Sequence, residues 1–198
     1  MKIAIVKYNA GNTRSVLCAL KRLGYEAMVT DDHDELKDAD RVIFPGVGEA
    51  STAMAYLQER GLDTFLPTLR QPFLGICLGM QLMSSFSEEH DTKCLGIFDE
   101  VVKKFVPLQG EKIPHMGWNT LSFEQVPLFK GLSDPLWCYF VHSYYLPLSA
   151  NTIATTEYAS VRFSASLHKD NFWGCQFHPE KSGPSGALML KNFIEEAL

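Results

Sequence analysis

Residues Pro72-Phe73-Leu74-Gly75-Ile76-Cys77-Leu78-Gly79-Met80-Gln81 constrain this chain more tightly than any other stretch. Phe73 to Ile76 is an apolar run of strand length, and Leu78-Gly79-Met80-Gln81-Leu82-Met83 restarts with helix formers. A strand that turns into a helix with no loop between them needs strained backbone angles and crowds its neighbours. Glycines on both sides of Cys77 relieve both demands. The pattern predicts Cys77 at the end of a central strand and the first turn of a helix, a nucleophile elbow with cysteine in place of serine. The helix terminus favours the thiolate, and the Leu78 amide is available to hold an oxyanion. A lone cysteine is otherwise a small buried hydrophobe. The paired glycines favour the nucleophile.

A nucleophile needs a base. Phe172-Trp173-Gly174-Cys175-Gln176-Phe177 reads as an aromatic-rich strand and runs into His178-Pro179-Glu180. Proline keeps the residue before it extended, so His178 and Glu180 point to the same side. A carboxylate beside an imidazole fixes its tautomer and stabilises the imidazolium. Alone, the tripeptide is equally a turn after a strand. Joined to Cys77, each half supplies what the other lacks.

The rest of the chain supplies a scaffold. Lys2 to Val6, Tyr25 to Thr30, Arg41 to Phe44 and Phe73 to Ile76 have strand character. Between them lie helical patterns at Ser15 to Leu23, within Asp31 to Ala39, at Glu49 to Glu59 and at Leu62 to Leu69. This alternation predicts an α/β fold of three layers, a mostly parallel central sheet with helices on both faces. Ligands in such sheets sit beyond the carboxyl ends of the strands, where Asn9 to Asn12, Pro45 to Gly48 and Cys77 fall. From about Gly96 the pattern changes to short strands at Val101 to Lys103, Trp118 to Phe123, Leu136 to His142, Ile153 to Thr156 and Val161 to Ser166. These are expected as antiparallel additions to the same sheet, closed by a helix from Gly186 to Leu198. With 198 residues and no linker or repeat, one domain over 1–198 is expected.

Pro45-Gly46-Val47-Gly48, at a strand end near the elbow, is placed to supply the second oxyanion donor through Val47 or Gly48. A turn needing positive φ accounts for the glycines as well, and a dinucleotide site is excluded because no third glycine follows at the required spacing. A formal net charge of −5 without a basic cluster argues against nucleic acid or an anionic membrane as partner. No apolar run is long enough to cross a bilayer, and the N-terminus lacks a signal-peptide pattern, so a cytoplasmic setting is expected. The five cysteines form no Cys-x-x-Cys pair, so neither a metal site nor a disulfide framework is expected, and no cofactor either. His142 is expected to be structural, and His33, His90, His115 and His168 to be surface or turn residues.

With these motifs in hand, the chain resembles the class I, triad-type glutamine amidotransferases over essentially its whole length. Within them it is most similar to the glutaminase subunits of imidazole glycerol phosphate synthase. The elbow Gly-Ile-Cys-Leu-Gly-Met-Gln, the loop Pro-Gly-Val-Gly and the blocks Gly11-Asn12, Pro114 to Asn119, Tyr139 to Tyr144 and His178 to Ser182 carry the likeness. Ala10 and Ser15 depart from the Pro and Asn common in some members. The resemblance implies a flavodoxin-like fold and a triad of Cys77, His178 and Glu180 acting on glutamine. It further implies an oxyanion hole at Val47, Gly48 and Leu78, and glutamine held by Gly48, Gln81, Glu89, Ser143 and Tyr144. Gln81, four residues after Cys77, stands one turn along the same helix face.

The family's partner is a (β/α)8-barrel cyclase subunit that receives ammonia through a channel and makes imidazole glycerol phosphate and an aminoimidazole carboxamide ribotide. Asn12, Trp118, Tyr139 and Lys181 match its interface. The resemblance also implies low activity until the partner binds its ligand, with the Val47 peptide turned away at rest. The rival is a stand-alone γ-glutamyl cysteine hydrolase of the same fold, which needs no partner; Met80-Gln81 and Lys181-Ser182 speak against it. A non-catalytic module is disfavoured by the intact Cys77, His178 and Glu180.

Overall fold

The computed structural model of the chain describes residues 1–9, 12–108 and 110–196. Strands β1 (Ile3–Val6), β2 (Met28–Thr30), β3 (Arg41–Gly46) and β4 (Phe73–Cys77) alternate with helices α1 (Thr13–Arg22), α2 (His33–Lys37), α3 (Ala50–Glu59) and α4 (Leu62–Phe65). From β4 the chain enters α5 (Leu78–Leu82) with no intervening loop. Local chemistry explains the boundaries. The Asp32 carboxylate caps α2 by accepting from the amides of Asp34 and Glu35 at 2.9 and 3.0 Å. α1 buries Val16, Ala19 and Leu20 and ends on Lys21 and Arg22, which suit the negative end of its dipole.

The second half adds β5 (Phe86–Ser87), β6 (Thr92–Lys93), β7 (Val101–Lys104), β8 (His115–Phe123), β9 (Leu136–His142), β10 (Tyr144–Tyr145), β11 (Thr152–Tyr158), β12 (Val161–Lys169), β13 (Phe172–Cys175) and α6 (Gly183–Glu195). A nine-stranded sheet runs in the order β2-β1-β3-β4-β13-β12-β11-β8-β9. It is parallel from β2 to β13 and antiparallel beyond. Helices cover both faces of the parallel part, so its strands are buried on both sides. Ile3, Ile5, Ile43, Leu74 and Ile76 pack into one core, while Ala4, Val6, Val42, Phe44 and Phe73 pack into the other. Among the described residues no helix is long and apolar enough to cross a membrane.

Three expectations need correction. Val101–Lys104 does not extend the main sheet. It lies in a separate four-stranded sheet of order β10-β7-β5-β6, whose partner strands are two residues long and carry no alternation to read. The strand expected from Tyr25 is confined to Met28–Thr30, because the Tyr25 amide still bonds back to Leu20 O of α1 at 3.0 Å. The last helix begins at Gly183 rather than Gly186, with Pro184 in its first turn where the missing N–H costs nothing. Its expected end at positions 197 and 198, and Ala10 and Gly11 of the first loop, lie outside the described residues.

Candidate active site

The site is assembled at the carboxyl edge of two neighbouring parallel strands. β4 and β13 pair with Ile76 opposite Cys175, so both leave the sheet at the same end. One continues into Cys77 and the other into His178. Cys77 adopts φ 53° and ψ −109°, a left-handed conformation that a non-glycine residue rarely takes. The glycines serve by their lack of a side chain. A Cβ on Gly79 would lie 1.8 Å from the carbonyl oxygen of Phe44 in β3, and one on Gly75 would lie 2.8 Å from the Met80 amide. The elbow exists because α5 packs directly on the sheet. Leu78, the first residue of α5, presents an amide with no partner within its own helix.

His178 and Glu180 are joined as expected, Nδ1 to Oε1 at 2.8 Å, and both side chains are fully buried. Burial works against a charged imidazole, but the Cys77 thiolate and the Glu180 carboxylate outweigh it and hold the His178 pKa up at about 10. The ring is oriented by Glu180 through the bond to Nδ1. Its Nε2 is buried and makes no hydrogen bond among the described residues. The following turn, Pro179–Lys181, is clamped. The Ser182 hydroxyl donates to His178 O at 2.7 Å and accepts from the Tyr139 amide at 3.0 Å.

One cavity takes in Cys77 and Leu78 together with Val47, Gly48, Gln81, Glu89, Ser143 and Tyr144. Every residue expected to hold an oxyanion or a substrate meets there, completed by Pro114, Val141 and His142. The Pro45 to Gly48 loop is braced from below by Tyr8, whose hydroxyl donates to Pro45 O at 2.6 Å. A Cβ on Gly46 would fall 2.0 Å from that hydroxyl and displace the brace, and Gly48 sits at φ 121°, where a side chain would strain the backbone. Glu89 accepts from the Ala50 amide at 2.8 Å, and burial raises its pKa against that bond.

Asn12 is placed differently from its expectation as a surface contact. It is 4% exposed, and its Nδ2 donates to Glu180 Oε1 at 3.0 Å, which makes it a support of the triad. The other three residues matched to an interface form one cluster. Trp118 is 53% exposed and edge-on to Tyr139, with ring centroids 6.0 Å apart, and the Lys181 ammonium lies 5.9 Å from the Tyr139 ring. Met116 and Trp137, 66% and 50% exposed, extend this face along β8 and β9.

His115 corrects a second expectation, being 3% exposed and enclosed in aromatic rings rather than on the surface. Its Nδ1 lies 3.0 Å from His142 Nε2, and His142 Nδ1 lies 2.7 Å from Tyr144 O. Since that carbonyl only accepts, His142 donates from Nδ1 and accepts at Nε2 from His115. Both rings are held neutral by burial, His115 down at about 4 and His142 down at about 3, the second also opposed by His115 and His178. The sign follows. An unfolded chain binds protons at these positions near pH 6.5, which the folded chain refuses until far lower pH. Stability is therefore expected to fall between about pH 6.5 and 4, by on the order of 1.4 kcal/mol per pH unit for each ring. Urea unfolding at pH 7 and 5 checks this, and an equal midpoint at both would contradict it.

Known proteins are similar to this chain in sequence and fold. The family described as glutamine amidotransferase class-I matches residues 4–197. The chain is 61% identical over 196 residues to imidazole glycerol phosphate synthase subunit HisH of Bacteroides fragilis, covering 98% of this chain and 100% of that one. It is 45% identical over 197 residues to the protein of the same name from Haemophilus influenzae, covering 99% and 98%. A solved structure of a glutamine amidotransferase superposes with a TM-score of 0.74 at 20% identity, covering 97% of each chain. Another, from Thermotoga maritima, superposes with a TM-score of 0.62 at 19% identity, covering 98% of this chain and 81% of that one, and both show the shared fold.

Proposed function

This chain belongs to the class I glutamine amidotransferases, and from that membership we propose that it acts as the glutaminase subunit of imidazole glycerol phosphate synthase, in histidine biosynthesis. The observation that carries the chemistry is the meeting of Cys77 and the His178–Glu180 pair at one strand edge beside a cavity. The Cys77 thiolate attacks the side-chain amide carbon of glutamine. The oxyanion that forms is held by the Leu78 amide and by the Val47 and Gly48 loop. His178 passes its proton to the departing nitrogen, so ammonia leaves and a glutamyl thioester remains. Water then adds with His178 as base, releasing glutamate and restoring the thiolate. Gly48, Gln81, Glu89, Ser143 and Tyr144 hold the substrate, Glu89 as counter-charge for the glutamine ammonium.

Free ammonia is protonated in neutral water and ceases to be a nucleophile, which gives the reaction a reason for a partner. The proposed partner is a (β/α)8-barrel cyclase subunit seated on the Trp118, Tyr139 and Lys181 face. That face is a mixed aromatic and cationic patch of the kind enriched at interfaces. The clamp from Tyr139 through Ser182 to His178 joins it directly to the triad. The chain works as one glutaminase domain, in the cytoplasm, within a heterodimer. Glutamine labelled with 15N in its side-chain amide tests the transfer. In the presence of the cyclase subunit, its ribotide and an excess of unlabelled ammonium, the label is expected in the imidazole ring. Dilution of the label to the level of the free ammonium would sink the reading.

A further inference from the structure

The Cys77 sulfur has two polar neighbours outside the triad, and one of them is a side chain the mechanism above leaves idle. The thiol faces Val141 O at 3.8 Å, and Gln176 Nε2 donates to the sulfur at 3.8 Å. Gln176 follows β13, two residues before His178, and is wholly buried. Its orientation is dictated by a chain of obligatory donors and acceptors. The Tyr144 carbonyl only accepts, so the Gln81 atom 2.9 Å from it is the amide nitrogen. That nitrogen also lies 2.9 Å from Gln176, whose facing atom must then be the oxygen. Only the amide nitrogen of Gln176 is left for the sulfur. His142, donating to the same Tyr144 carbonyl, locks the far end.

We propose that Gln176 is a further catalytic residue, whose Nε2–H stabilises the thiolate of Cys77 while its Oε1 ties the nucleophile to the Gln81 and Tyr144 wall of the glutamine pocket. The assignment rests on Cys77 being the nucleophile. An N–H aimed at sulfur is worth more to the anion than to the thiol, because charge-assisted hydrogen bonds are the stronger ones. The donor therefore enlarges the fraction of Cys77 in its attacking form and holds the sulfur at one position. The same chain occupies both N–H groups of Gln81, so Gln81 offers the pocket only its oxygen, an acceptor for a substrate N–H.

Two variants separate the two halves of this role. Gln176→Glu keeps an acceptor for Gln81 and removes the donor to sulfur, whereas Gln176→Met removes both. The first readout is the alkylation rate of Cys77 by iodoacetamide in the full chain, resolved by peptide mass, with exposed Cys18 as internal reference. The second is kcat and KM for glutamine in the presence of the cyclase subunit. For Gln176→Glu, Cys77 alkylation and kcat are both expected to fall about 10- to 100-fold, the value of a hydrogen bond to a charged group, with KM little changed. For Gln176→Met the same fall is expected together with a raised KM. Either variant overturns the proposal if it melts as the wild type does and alkylates Cys77 at the wild-type rate. If Gln176→Glu does not fold, Gln176→Met decides. Alkylation reads the sulfur whether or not glutamine is turned over, so a wild-type chain that stayed silent toward glutamine even with the cyclase subunit and its ribotide would overturn the function, while the alkylation rates would still decide the role of Gln176.

Discussion

Cys77→Ala is expected to abolish glutamate release, lowering it by at least about 10⁴-fold, and to leave the fold intact. The scale comes from triads in which loss of the nucleophile costs nearly as much as loss of the whole set. Removing the sulfur deletes the attacking atom, and neither the oxyanion donors nor the oriented His178 can substitute for it. Stability should change little, by about 1 kcal/mol, because only one sulfur is removed from the wall of an open cavity. Its left-handed backbone is no worse for alanine than for cysteine. His178→Ala is expected to cost nearly as much, and the double variant little more, since the two act as a unit. A Cys77→Ala chain that kept even a hundredth of wild-type glutaminase activity would show that the hydrolysis is not covalent through this residue.

Gly79→Ala is expected to have the largest effect on stability. The added methyl would lie 1.8 Å from Phe44 O and 2.8 Å from Phe44 C, both backbone atoms of the neighbouring strand β3. No rotamer change relieves that contact, so α5 must lift from the sheet and carry Cys77 with it. We expect a cost of at least about 3 kcal/mol, or a fall in Tm on the order of 10 °C for a chain of this size. Gly96→Ala is the control. Its Cβ meets nothing within 4 Å, and its φ of 69° carries only the left-handed penalty of about 1–2 kcal/mol. Equal melting of the two variants would remove the steric account of the elbow.

The parts of the site legible in the sequence were those whose chemistry is local. Gly75, Cys77 and Gly79 sit within five residues and state their own geometry, and His178-Pro179-Glu180 brings an imidazole and a carboxylate together by backbone direction alone. The alternation of the first ninety residues likewise reports burial on both faces of a parallel sheet. What stayed hidden depends on register between distant segments. His115 meets His142 because β8 and β9 pair with these two residues opposite each other, a match nothing local encodes. Asn12 reaches Glu180 across 168 positions and so supports the triad from a loop that reads as surface. β5, β6 and β10, two residues each, are too short for a periodic signal. Gln176 did leave a trace. A polar amide inside Phe172-Trp173-Gly174-Cys175-Gln176-Phe177 has to be satisfied once buried, and asking with what would have led to Cys77 and Gln81.

We propose a Cys77, His178 and Glu180 glutaminase that works for a cyclase partner seated on the Trp118 face. Its most direct test is glutamate release from glutamine by the purified chain alone, then with the cyclase subunit, then with that subunit and its ribotide ligand. Near-silence alone and a large rise in the complete mixture, lost in Cys77→Ala, is the predicted result. Full activity in the isolated chain, unchanged by the other two additions, would contradict it and identify a self-sufficient γ-glutamyl hydrolase instead.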